Sequence, residues 1–224
     1  MEDTSRLRGR MHGGRASSKR TPVNLLRSIP PRLGDRVRFL RAFLRGPAKV
    51  GAIAPSSRSL ARAMVKSCGL NFSDTVVELG PGTGAFTRAI LEGIGEGTTF
   101  FALELDPIFS KALRKSFPSL IVYNDSAENI PEYLAQHGKT KADYIISGLP
   151  WASLPMELQN RIMESVITSL APGGVFTTFG YVHARWLPNA LRFRRRLGNH
   201  FSEVETSKVV WANFPPAFVY RCKR

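Results

Sequence analysis

The sequence has 224 residues, 43% of them hydrophobic and 22% charged, which is typical of a single globular domain with or without an extension. No stretch approaches the roughly 18–20 uncharged apolar residues of a membrane-spanning helix, and the basic N-terminus lacks the apolar segment of a secretory signal. Cys68 and Cys222 form no spacing motif for metal or redox chemistry, so the sequence predicts no metal site and favours the cytoplasm.

The two ends of the chain carry its net charge of +15. Residues 1–49 contain 13 Lys/Arg and three acidic residues, and residues 185–224 contain nine and two, whereas residues 50–184 contain 10 and 12. Cationic flanks around a near-neutral middle indicate a polyanionic partner, which is either nucleic acid or an anionic membrane surface.

The first elements in chain order are a basic arm and an amphipathic helix. Residues 1–30 mix Arg, Ser, Gly and Pro and are predicted to be disordered. From Leu33 to Arg45 leucines and valine recur at helical spacing, and arginines gather on the opposite side. Such a helix either enters the headgroup layer of an anionic membrane or packs on the sheet. Ser56 and Ser57 then precede a predicted helix that ends near Lys66.

The rest of the chain alternates strands with helices. Strands are predicted at 75–80, 98–105, 120–124, 143–148 and 174–181, and helices at 85–93, 107–116, 128–137, 155–170 and 189–198. Segments 203–211 and 217–222 are separated by a turn and predict an antiparallel hairpin at the sheet edge. This pattern predicts an α/β fold with a doubly wound, mostly parallel seven-stranded sheet.

A glycine-rich turn follows the first strand, in the sequence E-L-G-P-G-T-G from Glu78 to Gly84. Glycines at 80, 82 and 84 let the backbone approach a ligand closely, and the following helix offers unpaired N–H donors. The acidic Glu78 is unfavourable beside a pyrophosphate but suits a cationic aminoacyl group. The form resembles motif I of methyltransferases, whose ligand S-adenosylmethionine carries a sulfonium and an ammonium.

Acidic residues follow the next two strands. Glu104 ends the second strand 20 residues after Gly84, where a carboxylate accepts hydrogen bonds from ribose hydroxyls; Asp106 is the weaker candidate. Asp125 ends the third strand and can accept from an adenine amino group, while the N–H of Ser126 can donate to a ring nitrogen. Carboxylates at strand ends are also common in turns, so each prediction depends on the other motifs.

The fourth and fifth strands end at the expected position of the reacting methyl group. Gly148 and Trp151 follow the fourth strand, and Trp151 either faces a cationic acceptor or belongs to the core. Tyr181 and His183 follow the fifth strand. They are candidates to take a proton or hold a headgroup phosphate, and the alternative is that Tyr181 packs and His183 is a solvated loop residue.

The stretch from Phe39 to Arg221 resembles the bacterial phospholipid N-methyltransferases of the PmtA type, which are similar to rRNA adenine dimethylases. The resemblance rests on the glycine turn, the L-E-L-D-P and S-G-L-P-W segments, K-V-G-A-I-A-P-S-S-R at 49–58, Y-V-H at 181–183 and W-A-N-F-P-P-A-F-V-Y at 211–220. It implies S-adenosylmethionine-dependent methylation of the amine of phosphatidylethanolamine towards phosphatidylcholine. It also implies that Ser56 closes over a cofactor held by the glycine turn, Glu104 and Asp125.

The expected organisation is a disordered arm at 1–30, membrane-contact helices at 31–66 and the methyltransferase domain at 67–224. We expect a cytoplasmic enzyme bound peripherally to the inner face of the membrane through the Leu33–Arg45 helix. RNA adenine methylation is an alternative, although the dimethylases carry an asparagine where this chain has Gly148. A small-amine methyltransferase and a non-catalytic membrane-binding protein are further alternatives.

Overall fold

The computed structural model describes residues 56–66 and 68–224. The predicted arm at 1–30 and the predicted helix from Leu33 to Arg45 lie outside these residues and stay predictions. The segment predicted at 31–66 is described only from residue 56 onward, so the proposed division of the chain is also still a prediction.

Seven strands form one sheet in the order β3-β2-β1-β4-β5-β7-β6. Neighbours among β1 to β5 are parallel, and β7 is antiparallel to both β5 and β6. The strands are β1 Thr75–Leu79, β2 Thr99–Leu103, β3 Ile121–Tyr123, β4 Ala142–Ser147, β5 Leu170–Tyr181, β6 Glu203–Thr206 and β7 Ala217–Lys223. The predicted doubly wound sheet with an antiparallel C-terminal pair is confirmed.

Helices cover both faces of the sheet. They are α1 Arg58–Val65, α2 Ala85–Leu91, α3 Pro107–Ser116, α4 Ile130–Gln136, α5 Met156–Ser169 and α6 Pro188–His200. Buried side chains of α1, α2 and α3 form one apolar cluster, and those of α4, α5 and α6 form the other. All five residues of β1 are buried because the strand lies between these two layers.

The first described helix is an integral part of this packing. Leu60 and Met64 of α1 are fully buried, in the same cluster as Phe86 and Val219. The Ser57 side chain caps the helix by accepting a hydrogen bond from the Leu60 N–H at 3.1 Å. None of the described helices is long and apolar enough to cross a bilayer.

The sheet order places the site. The chain crosses from β1 to β2 on one side and later returns to β4 on the other, so β1 and β4 flank the point where the strand order reverses. Ligands of open α/β sheets bind in the crevice outside the strand carboxyl ends at such a point. Gly80 and Gly148, which follow β1 and β4, meet there.

Candidate active site

The turn after β1 has left-handed backbone conformations that only glycine adopts readily. Gly80 has φ +63° and Gly82 has φ +56°. A Cβ on Gly80 would lie 2.5 Å from Leu149 Cδ2, whereas a Cβ on Gly82 would meet nothing within 4 Å. Gly82 therefore faces open space in which a ligand can approach the backbone.

Glu104 holds this turn in place from the end of β2. Its Oε2 accepts a hydrogen bond from the Gly82 N–H at 2.9 Å, and its Oε1 accepts from the Asp106 N–H at 2.8 Å. Burial raises the pKa of the carboxyl group above its ordinary value, although both backbone hydrogen bonds act in the opposite direction. Each oxygen has a second lone pair, so the carboxylate can still accept from a ribose hydroxyl.

Glu78 lies beneath the turn and does not line the large cavity. Its Oε2 accepts a hydrogen bond from Thr87 Oγ1 at 2.7 Å, but the buried Oε1 has no hydrogen-bond partner. Burial raises the pKa of Glu78 to about 8. An unpaired, buried carboxyl oxygen is costly without a ligand, and a cationic group close by would stabilise its ionised form.

Asp125 follows β3 and is fixed by three donors. Its Oδ1 accepts from the Ser126 N–H at 2.7 Å, and its Oδ2 accepts from Asn129 Nδ2 and Tyr133 Oη at 2.9 and 2.8 Å. Burial raises the pKa of Asp125, but these hydrogen bonds outweigh it and hold the pKa below the ordinary value.

A small cavity of about 40 Å³ lies beside Asp125 and Ser126. Its other walls are mostly leucine side chains, among them Leu105 and Leu149. Apolar walls with a polar edge at Asp125 are suited to a flat heteroaromatic ring.

The main cavity has a volume of about 1110 Å³ and shares Gly80 with the small one. Its lining includes glycines of the two turns, Gly82 and Gly148, and Ser56. The lining also includes aromatic side chains, among them Phe179 and Phe218. Typical small-molecule sites measure about 300–1000 Å³, so the volume leaves room for an acceptor beside a cofactor.

Gly148, in the turn after β4, packs closely against the turn after β1. A Cβ at this position would lie 2.5 Å from the backbone oxygen of Gly80, because the Gly148 N–H bonds to Leu79 O at 2.8 Å. No side chain fits here without moving the turn. This backbone therefore has no place for the asparagine of the adenine dimethylases.

Trp151 forms part of the cavity wall but is only 2% exposed. Its Nε1 donates a hydrogen bond to Ser147 Oγ at 3.0 Å, and its ring stacks on Phe193 with 5.2 Å between centroids. The indole is thus fixed within the core, and its contact with an acceptor stays a prediction.

Tyr181 and His183 line the main cavity together. Their rings stack with centroids 5.7 Å apart and planes inclined by 22°. Burial raises the pKa of Tyr181 to about 12. At neutral pH the phenol therefore keeps its proton and can act as a hydrogen-bond donor, whereas it cannot serve as the base.

The structure brings most of the predicted site residues together. Those that line the main cavity are Ser56, Gly80, Gly82, Gly148, Trp151, Tyr181 and His183. Asp125 and Ser126 line the adjoining small cavity, while Glu78, Gly84 and Glu104 lie behind the turn. Among the described residues, no cluster of three or more His, Cys, Asp or Glu side chains could hold a metal ion.

Arg185 and Arg192, which are not among the predicted site residues, also line the main cavity. They are exposed and lie in a stretch without acidic residues between Glu164 and Glu203. The sequence shows this cationic run, but a run of charges is more often a solvated face than part of a site, so it does not by itself predict cavity residues.

The chain is 34% identical over 188 residues to the ornithine lipid N-methyltransferase of Singulisphaera acidiphila. The aligned residues make up 83% of this chain and 94% of that protein. The chain belongs to this family of lipid N-methyltransferases. No protein-family model matches the sequence.

Two other known proteins are similar to a smaller part of the chain or at lower sequence identity. Ribosomal RNA small subunit methyltransferase A of Chlorobaculum tepidum is 30% identical over 131 residues, or 58% of this chain and 45% of that protein. The magnesium protoporphyrin IX methyltransferase of Synechocystis PCC 6803, solved with bound S-adenosylmethionine, has a TM-score of 0.56 and 10% identity, and covers 74% of this chain and 76% of that one. The structural likeness shows the fold alone.

Family and fold together confirm the predicted class, an S-adenosylmethionine-dependent methyltransferase. The site fits this cofactor on three observations. Gly82 faces open space, Glu78 keeps an unpaired carboxyl oxygen for a cation, and the small cavity beside Asp125 has apolar walls with a polar edge.

Proposed function

We propose that this lipid N-methyltransferase transfers methyl groups to the primary amine of a zwitterionic membrane lipid. The relative from Singulisphaera acidiphila, which aligns with 83% of the chain, supports an ornithine lipid as acceptor. The motif resemblance to the PmtA-type enzymes supports phosphatidylethanolamine. Both headgroups combine a primary amine with an anion, which is a carboxylate in ornithine and a phosphate in phosphatidylethanolamine.

The main cavity is the observation that carries this proposal. It is larger than a typical site for one small ligand, aromatic side chains form part of its wall, and Arg185 and Arg192 line it as well. An amine beside the turns, an anion near the arginines and acyl chains along the apolar wall would satisfy all three regions.

The proposed cofactor contacts use the turns at the strand ends. The bound cofactor supplies an electrophilic methyl group. Glu104 would accept from the ribose, Asp125 and the Ser126 N–H would hold the adenine, and Glu78 would neutralise the ammonium. Ser56 would cover the site, while Gly80, Gly82, Gly84 and Gly148 give the backbone the required shape.

The acceptor amine must lose a proton before it becomes a nucleophile. Tyr181 stays protonated because of its raised pKa, so its proposed role is to donate a hydrogen bond to the headgroup anion. His183 is the proposed proton acceptor, since it lies on the same wall and can pass the proton to solvent. Trp151 would shape the wall, and the protein's main contribution would be alignment and exclusion of water.

RNA methylation is the second candidate because of the likeness to ribosomal RNA small subunit methyltransferase A. The chain spans less than half the length of that relative. Gly148 disfavours this candidate, since the backbone around it leaves no room for a side-chain acceptor of an adenine amino group.

The proposed location is the inner face of the cytoplasmic membrane. A lipid acceptor requires access to the bilayer, and the basic flanks favour an anionic surface. The Leu33–Arg45 helix remains the proposed membrane contact of the N-terminal part.

The test is methyl transfer from labelled S-adenosylmethionine to vesicles that contain phosphatidylethanolamine or an ornithine lipid, with ribosomal RNA as a parallel acceptor. We expect label in the lipid fraction, with mono-, di- and trimethylated products counting the rounds. Labelling of one lipid alone identifies the acceptor. Labelled RNA with unlabelled lipids would overturn the proposal, as would a Glu104→Gln variant that keeps full activity.

A further inference from the structure

An exposed apolar segment borders the main cavity. Trp186 is 71% exposed, Leu187 56% and Leu191 40%. Single exposed apolar residues are ordinary, but here three large ones occur within six residues at the start of α6. We call residues 185–195 the mouth segment.

The mouth segment is continuous with the interior of the cavity. Arg185, Leu187 and Arg192 line the cavity from the surface, and Phe193 lines it from the core. The same cavity is thus lined by an exposed leucine and by a buried aromatic ring, and apolar lining of this kind is the environment that an acyl chain needs.

The segment is also strongly cationic. Arg185, Arg192, Arg194 and Arg195 are exposed, and the sequence has no acidic residue between Glu164 and Glu203. Neither Arg194 nor Arg195 forms a salt bridge with the described part of the chain. The guanidinium of Arg185 lies 4.8 Å from the centre of the Trp186 ring, which places a positive charge beside an amphipathic indole.

We infer that the mouth segment docks on the anionic surface of a bilayer, so that a lipid enters the cavity directly from the membrane. This inference rests on the proposed function. Trp186, Leu187 and Leu191 would insert at the headgroup level, where indole rings are favoured, and the arginines would contact lipid phosphates. Each such basic residue near an anionic surface contributes about 1 kcal/mol.

Two other partners for the mouth segment fit less well than a bilayer. The N-terminal residues 1–49 carry a net charge of +10 and are repelled by the arginines of the mouth segment. An RNA would attract the arginines but would leave the leucines in water. A bilayer satisfies both the charge and the apolar side chains.

The native tryptophans allow a direct test on the full chain. The sequence has three, of which Trp151 is buried and Trp211 is 74% exposed. In a Trp211→Phe variant, Trp186 is thus the exposed fluorophore. Vesicles of phosphatidylcholine and phosphatidylglycerol, with or without brominated acyl chains, serve as the probe.

We expect a blue shift of Trp186 on vesicles and quenching by the brominated lipid. The double variant Trp186→Ser/Leu191→Ser should bind these vesicles at least about tenfold more weakly, because two apolar side chains no longer leave water. Phe72→Ser/Ile121→Ser is the matched control. It also removes an exposed aromatic and an exposed aliphatic residue, but from the turn before β1 and from the edge strand β3, outside the mouth segment, and should leave vesicle affinity unchanged.

If Trp186 is not quenched but the protein still binds vesicles, the inference is wrong, and binding belongs to residues 1–55 or to the exposed segment around residue 211. Equal losses in both double variants would overturn it as well. The proposed function is tested independently of the docking surface. Quenching of Trp186 without methyl transfer to any lipid would support membrane docking and contradict a lipid acceptor.

Discussion

Asn213 accepts a hydrogen bond from the N–H of Ser57 at 2.8 Å, across 156 positions of sequence. Its Nδ2 donates to Pro215 O at 2.7 Å, and the side chain is only 3% exposed. The P-S-S segment and the W-x-N-x-P-P segment, two parts of the family resemblance, are therefore joined by one amide. Because Ser56 lines the main cavity, this bond fixes the N-terminal wall of the site.

Replacing Asn213 with Ala should loosen that wall. The Ser57 N–H would lose its acceptor, and the free energy of unfolding should fall by about 1–3 kcal/mol. We also expect weaker binding of S-adenosylhomocysteine, measured by calorimetry beside urea denaturation. Asn160→Ala removes an exposed asparagine from α5 and serves as the control. Equal stability losses in both variants would contradict the role given to Asn213.

Glu104→Gln should weaken cofactor binding by at least about tenfold. A carboxylate accepts at both oxygens, whereas an amide presents one NH₂ group, which cannot accept from the Gly82 or Asp106 N–H. Titration with S-adenosylhomocysteine measures the affinity, and vesicle binding should stay unchanged. A variant that loses both equally would show that Glu104 acts through the general stability of the fold.

Gly82 and Gly97 form a matched pair of glycines. Both have positive φ, +56° and +87°, and in both cases a Cβ would meet nothing within 4 Å. Substitution with Ala should therefore cost each a similar strain of about 1 kcal/mol. Only Gly82→Ala places a methyl group at the cavity, so we expect it alone to reduce cofactor affinity. Similar affinities for the two variants would show that the cofactor does not approach this turn.

Most of the fold could be predicted because its strands are short apolar runs between glycine and acidic turns. The main departures have local causes. β5 begins at Leu170 and not near 174, since the A-P-G-G sequence reads as a turn but continues the strand through a register shift beside Ala142. β6 ends at Thr206, and Val210 forms only an isolated bridge to Ala217.

The sequence predicted the positions of the strand-end turns at the site better than the side-chain contacts that form the cavity walls. Strand-end motifs have fixed spacing, so the sequence could place Gly80, Gly148 and Asp125 at strand ends, and in the structure they line the two cavities. The bond between Asn213 and Ser57, and the burial of Trp151, depend on contacts between distant segments. Such contacts leave no periodic signal.

Glu78 should make the ligand-free protein less stable as the pH rises. Its pKa is raised to about 8 in the folded state, from the ordinary value of 4.5, because it is buried. The unfolded chain therefore releases its proton at lower pH, and stability present below pH 4.5 is lost progressively up to about pH 8.

Unfolding of the ligand-free enzyme at pH 5 and pH 8 measures this effect, which should be on the order of a few kcal/mol. Glu78→Gln should remove most of the difference, whereas Glu92→Gln, which changes an exposed carboxylate, should keep it. An unchanged pH dependence in Glu78→Gln would assign the effect to other groups. Saturating cofactor should also reduce it, since a nearby ammonium stabilises the ionised carboxylate.

Tyr181→Phe should separate hydrogen bonding from proton transfer. The raised pKa of about 12 keeps the phenol protonated across the usable pH range, so its loss should raise KM for the lipid about 5- to 20-fold through one missing hydrogen bond. The shape of the pH–rate profile should stay the same. His183→Gln, which changes the neighbouring ring on the same wall, should lower kcat instead. If Tyr181→Phe removed a limb of the pH–rate profile, the phenol would be the base and the roles of the two residues would have to be exchanged.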